Sequence, residues 1–468
     1  MKTILPLRVF PSLFFSPQFF LKLLFFKRNF VVLVFFFLFT PFFLIAFQPR
    51  HTYLTWLEEK TFNHMTVTVH VDELAGPLKL FYSETNPAAP LQYPEKNLRL
   101  IQKPSHFINQ RFLYHFNLTN LKPNQAYTFV IGNQKIGFSS PKKFKTPPEK
   151  SAHFRFVEGG DLEDPAKAEP LLKIAATYSP SALLLGGDYP PRIFSKKNYL
   201  VWDKWLDVIE KTLVTKEGFT IPLILAIGNH EVSLEKTFET TSKKTKLRPK
   251  VPFYFTYFPQ EKEKKQSFFL KKFGQNIVFF ILDSGHFHSP LEEQRAWLKE
   301  NLLKYQALSY KFAIYHVPTY PSVRFKKNNW AYQSLLFLAG LTGERKKALT
   351  LISQESWLQK KAWLPIFDQY QLTAAFEHHD GTLKRTKPLK KNKINALGTV
   401  YLGDGAMAPT NQIFPLQTFL HSYFAKIRGY VQFFWLVDVF EDKIVYQAIS
   451  EKGKVLDEFE QSYPRKPE

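Results

Sequence analysis

Seven short apolar runs in this 468-residue chain each end on a residue that can hold a cation or move a proton. HFRFVEGG ends at Asp161, SALLLGG at Asp188, IPLILAIG at Asn229 with His230 next, NIVFFIL at Asp283, KFAIY at His316, LTAAFEH at His379 and TVYLG at Asp404. Asp, Asn and His without Cys make a ligand set for a borderline or hard divalent metal, and a bridging carboxylate suits a pair of such ions. A histidine left off the metals could protonate a leaving group. Each residue alone has a structural alternative. Asp161 or Asp188 could cap a helix, Asn229 could serve a turn, and His316 or His379 could be satisfied in a core. Asp283, His286 and His288 could be metal ligands or structural, and Lys384 and Arg385 either phosphate ligands or solvated charges. The repetition favours a shared rim.

The elements that must position these residues follow from periodicity. A buried strand stopped by a polar residue places it at the carboxyl edge of a sheet, where open α/β folds put their ligands. From about Ala152, such strands alternate with helical stretches at Asp164–Tyr178, Tyr199–Thr212, Leu291–Leu303 and Ser353–Tyr370. That alternation predicts a largely parallel sheet with covered faces. YVQFFWLVDVF and KIVYQAI, split at Glu441–Asp442, predict an antiparallel hairpin. Upstream, residues 51–148 carry short strands of period two, such as MTVTVHV, with turn residues between them, and predict an all-β sandwich. Within it, Leu121–Tyr127 (LKPNQAY) resembles a tyrosine corner. Lys142–Pro148 reads as a linker into a second domain over 152–468.

Composition bounds the rest. Forty-nine Phe and 45% hydrophobic content exclude a disordered chain, and the absence of Cys removes disulfides and thiolate ligands. The formal charge is +23, with Lys-rich runs at 241–250, 262–265 and 384–393. No nucleic-acid motif accompanies that charge, so these runs read as solvated loops and no nucleic-acid partner is expected. Residues 1–28 are basic and Phe-rich. Asn29–Phe47 is uncharged, long enough to span a bilayer and preceded by Lys22, Lys27 and Arg28. This predicts an N-terminal hydrophobic helix acting as a membrane anchor, or a signal, with everything after Gln48 extracytoplasmic; the protein is secreted if the segment is cleaved.

In order along the chain, GGD (Gly159–Asp161), GGD (Gly186–Asp188), GNHE (Gly228–Glu231), YHVPTYPS (Tyr315–Ser322) and HHDGTLKRT (His378–Thr386) resemble the calcineurin-like metallophosphoesterases, in particular the purple acid phosphatase-like branch. That branch commonly carries a fibronectin type III-like domain ahead of the catalytic one. The resemblance implies a four-layer α/β/β/α catalytic domain and hydrolysis of a phosphomonoester or diester by a metal-bound hydroxide. The cofactor implied is one or two divalent ions, Mn, Zn or Fe. Carried over by position, Asp188 bridges two metals, Asn229, His316 and His379 complete one shell, Asp161 binds the other ion, and His230 is the proton donor. Two positions depart from the pattern. Pro191 stands where the family has a metal-ligating Tyr, and Gly381 where it has a second His. Glu163 is then a possible substitute ligand, with His378, Asp380 and Asp404 in supporting places. A chain so altered could also keep the fold as a binding module without turnover.

Overall fold

The computed structural model describes residues 47–462 except 74–75, 86–98, 103–105, 109–110, 151, 191–198, 240–243, 252, 263–264, 324–333, 335–340, 342–354, 404 and 410–421. The apolar segment expected to enter a membrane, 29–47, lies outside these but for Phe47, as do Pro191 and Asp404. Among the described residues, no helix is long and apolar enough to cross a membrane.

Residues 51–145 form two antiparallel sheets. One has the order His51–Thr55, Met65–Val71, Arg111–Leu118, His106–Ile108; the other has Arg99–Gln102, Leu78–Glu84, Ala126–Asn133, Gly137–Phe138, with Lys142–Lys145 also paired to Ala126–Asn133. The β-branched alternation of MTVTVHV fits the pleated ladder. All seven of its residues are buried, because both faces of the first sheet are covered. Val67 and Val69 share one apolar cluster with Leu80 and Phe129 of the other sheet, while His70 meets Tyr257 on the far side. The expected tyrosine corner is present: the Lys122 amide donates to the Tyr127 hydroxyl at 2.8 Å.

From His153 onward the described residues build two large sheets, two small two-stranded ones and two helical layers. The first sheet has the order Leu223–Leu225, Leu183–Leu185, His153–Gly159, Phe433–Phe440, Lys443–Ser450, Val455–Ser462. Its first three strands are parallel, and the remainder antiparallel. The second has the order Phe269–Phe273, Ile277–Ile281, Tyr310–Ile314, Ala374–Glu377, Val400–Gly403, Leu383–Thr386, Phe424–Arg428, with four parallel strands in its middle.

Side-chain alternation decides the layering. Phe156, Leu184, Phe279, Phe312 and Phe376 fill the space between the sheets. Leu183 and Leu185 point outward onto helices Pro165–Thr177 and Tyr199–Thr212. Val278, Phe280 and Ala313 point outward onto helices Glu293–Lys304 and Glu355–Tyr370. The layers are therefore α/β/β/α, and the seven apolar runs divide three and four between the sheets. Their carboxyl ends meet where the two sheets face each other.

The β-rich N-terminal part is tied to this body by apolar and charged contacts. Trp56 meets Phe273 edge-on at 5.3 Å, joining the two cores. Buried Lys271 donates to the carbonyls of Leu57, Glu58 and Gln260 at 2.5–3.2 Å. Burial lowers its ammonium to about 7.

Candidate metal centre

The site is built from turns that follow the strands. Asp161 and Asp188 sit just beyond the parallel strands His153–Gly159 and Leu183–Leu185, and Asn229 and His230 beyond Leu223–Leu225. His316 and His379 follow Tyr310–Ile314 and Ala374–Glu377 of the second sheet. Asp161, Asp188 and His379 adopt the left-handed backbone region, at φ of 55°, 57° and 78°. Non-glycine residues there cost about 1 kcal/mol or more each and persist where the surroundings hold them, which is common at functional sites.

Four predicted ligand atoms meet at one imidazole nitrogen. His316 Nε2 lies 3.1 Å from Asp188 Oδ2, 3.1 Å from Asn229 Oδ1 and 3.0 Å from His379 Nδ1. Its other nitrogen, Nδ1, is 3.0 Å from the Gly186 carbonyl. A carbonyl only accepts, so Nδ1 carries the proton and Nε2 of the neutral ring is a lone pair. Carboxylate, amide and imidazole lone pairs crowded together repel one another unless a cation lies among them. The donor set thus fits a divalent ion, and the backbone carbonyl behind His316 is the orienting partner such a ligand uses.

A second group shares Asp188. Ligand atoms of Glu163, Asp188 and His230 lie within 4.8 Å of one another. His230 Nε2 is 3.6 Å from Asp188 Oδ2, and Nδ1 is 3.9 Å from Glu163 and 3.3 Å from the Pro190 carbonyl. Asp161 belongs to neither group; its Oδ2 accepts the His379 amide at 3.1 Å. Gly381, in the left-handed region at φ 66°, has no side chain to offer a metal. Tyr189, two residues before Pro191, is buried with its hydroxyl donating to the Leu185 carbonyl at 3.0 Å and to that of Ala226.

The supporting residues are sorted by their contacts. Asp380 accepts the amides of Ser322 and Val323 at 2.9 and 3.1 Å and so fixes the loop after His316. His378 lies behind the ligands, with Nε2 2.6 Å from Glu158. Asp283 accepts the amides of His286 and His288 at 2.7 Å each, so LDSGHFH is a structural turn.

One expectation is corrected: Lys384 and Arg385 are neither phosphate ligands nor solvated charges. Buried Lys384 donates to Glu377 at 2.5 Å and to the Tyr320 carbonyl at 2.6 Å. Arg385 is held by Asp457 at 2.7 and 3.1 Å. Both lie in the Leu383–Thr386 strand, which is flanked by strands on both sides.

Sequence reasoning passed over three acids. Glu231 accepts the amides of Gly228, Asp188 and Tyr189 at 2.7–3.0 Å, stapling two ligand turns together. Burial first, and then the charge of Asp188, push its carboxyl up to about 8, against the pull of those amides. Glu158 and Glu377 are fully buried, and an acid at the downstream end of a largely apolar run was the available signal for both.

Comparison of the sequence with family profiles and with curated proteins gives no match. The fold does match solved structures. A purple acid phosphatase from yellow lupin (Lupinus luteus) seeds is 14% identical with a TM-score of 0.67, covering 88% of this chain and 74% of that one. PhoD is 10% identical with a TM-score of 0.57, covering 87% of this chain and 92% of that one. The chain shares the fold of these two structures.

Proposed function

We propose that the chain is a metal-dependent phosphoester hydrolase, acting on a phosphomonoester or diester. The observation that carries this is the meeting of Asp188, Asn229, His316 and His379 around one imidazole nitrogen at 3.0–3.1 Å. Those four residues would hold a divalent ion, with Mn, Zn or Fe suited to the mixed nitrogen and oxygen donors. Such an ion supplies Lewis acidity, polarising phosphoryl oxygens and lowering the pKa of water. His230 donates the proton that the departing alkoxide requires; its Nε2 faces Asp188 and its Nδ1 faces the Pro190 carbonyl. Asp188 and Glu163 would offer a second ion carboxylate oxygens, with Asp161 as the further carboxylate that the family pattern assigns to it. Without a Tyr at position 191 or a His at position 381, that ion is bound more weakly than the first.

The same reading takes 29–47 as a membrane anchor or signal, 51–148 as a fibronectin type III-like domain and 152–468 as the catalytic domain, facing away from the cytoplasm. Gly381 favours a second reading, a binding module that has kept the fold and lost turnover.

The test is metal analysis of the purified chain with turnover of an aryl phosphate, set beside His316→Ala. The hydrolase reading expects bound metal and metal-dependent turnover, both lost in His316→Ala. Metal-free protein without turnover overturns it in favour of the binding module.

A further inference from the structure

We infer that Glu158 and His378 are positioning residues for the metal centre, forming a clasp between the two sheets that sets where Asp161, Asp188, His316 and His379 stand. The inference rests on the hydrolase reading of those four residues. Glu158 is the penultimate residue of a strand in the first sheet, and His378 directly follows a strand in the second. Both are fully buried, and Nε2 of the imidazole lies 2.6 Å from the carboxylate. Nδ1 is 2.8 Å from the Tyr315 carbonyl, and the His378 amide donates to the His316 carbonyl at 2.8 Å. One residue, through its ring and its amide, therefore touches the residue before one ligand, the ligand's own backbone and the opposite sheet.

The two GGD motifs take their form from this ring. A Cβ on Gly160 or on Gly186 would run into the His378 imidazole, so both turns are glycine where they pass it. Asp161 follows the first of these glycines directly, and Asp188 stands two residues after the second. The ring is thus a wedge between the two aspartate-bearing turns, held in orientation at one nitrogen by Glu158 and at the other by Tyr315. Partners one step behind the ligands commonly fix metal affinity, and their loss costs about 10- to 100-fold.

The experiment titrates the metal-free full chain with Mn²⁺ alone, reading free Mn²⁺ by paramagnetic resonance, in wild type, Glu158→Ala, Glu158→Asp and Glu158→Gln. Gln keeps the reach and a hydrogen bond to the ring, whereas Asp withdraws the carboxylate by one methylene. The expected result is near-wild-type binding in Glu158→Gln, weaker binding in Glu158→Asp and about 10- to 100-fold weaker binding in Glu158→Ala. If Glu158→Ala fails to fold, the Asp and Gln chains carry the comparison. A general structural role would lower the melting temperature of the metal-free variants and leave the Mn²⁺ constant unchanged, and that outcome overturns the inference alone. Where the wild-type chain takes up no Mn²⁺ the titration is run with Zn²⁺ and Fe²⁺; a chain that binds none of the three overturns the hydrolase reading, and this inference with it.

Discussion

His316 commits its two nitrogens to different tasks, one to the Gly186 carbonyl and one to the cluster of lone pairs, and this division makes the residue-scale predictions sharp. A methyl group at position 186 would collide with the His378 ring and force apart the turns that carry the ligands, so Gly186→Ala should lose metal although no ligand side chain has been removed. Metal analysis of the purified variant checks this. Lys384 and Glu377 form an ion pair with no exposed surface. Burial acts to raise the Glu377 carboxyl, but Lys384 and its hydrogen bonds hold it below the ordinary range. Lys384→Ala would strand a buried charge and cost about 3–5 kcal/mol, measurable as a lowered urea midpoint. The ligand residues were legible in the sequence because each ends an apolar run. Glu158, Glu231 and Glu377 were not, since their partners lie far along the chain or on the backbone. Lys384 was misread because it begins the run KRTKPLKKNK, whose composition hides a buried strand.

At the scale of elements, apolar periodicity located most strands and the four long helices among the described residues to within about two residues. It failed where pairing is a matter of backbone hydrogen bonds alone. The Lys-rich stretch expected to be a solvated loop is in part a strand, Lys244–Lys250, paired to Ser233–Glu239. The last strand, Val455–Ser462, pairs with Lys443–Ser450 at the sheet edge, and its mixed, half-exposed sequence VLDEFEQS gives no apolar run. Local devices were easier to see. Tyr127→Phe deletes the acceptor of the Lys122 amide, and leaving that donor unpaired should cost about 1–3 kcal/mol by urea unfolding. Asp164 caps helix Pro165–Thr177 by accepting the Ala166 and Lys167 amides at 3.1 and 3.3 Å. Asp164→Ala should cost about 1 kcal/mol on the same measurement.

For the molecule as a whole, the junction between the N-terminal sheets and helix Tyr199–Thr212 makes stability depend on pH. Buried His51 lies 3.0 Å from Asp203, 3.4 Å from Glu210 and 3.6 Å from Asp207. Arg111 reaches Asp203 at 2.6 Å and also pairs with Asp72, Arg50 reaches Asp207 at 3.0 Å, and Lys142 reaches Glu210 at 2.6 Å. Four carboxylates thus face three fixed cations, and a protonated His51 balances them. Burial acts to lower the His51 imidazole, but the hydrogen bonds it donates to Asp203 and Glu210 outweigh it and raise the group above its ordinary value. His70, whose ring centre is 5.4 Å away, is pushed the other way, by burial first and then by the charges of His51 and Arg111, and stays neutral. A raised folded-state pKa gives stabilisation that is complete below the unfolded value, near 6.5, and is lost as pH rises through the folded value. The urea midpoint of the metal-free chain should therefore fall as pH rises above about 6.5, more steeply in wild type than in His51→Gln, which has no proton to lose at that position. Equal slopes in the two chains would place the pH dependence elsewhere and remove His51 as the balancing charge at this junction.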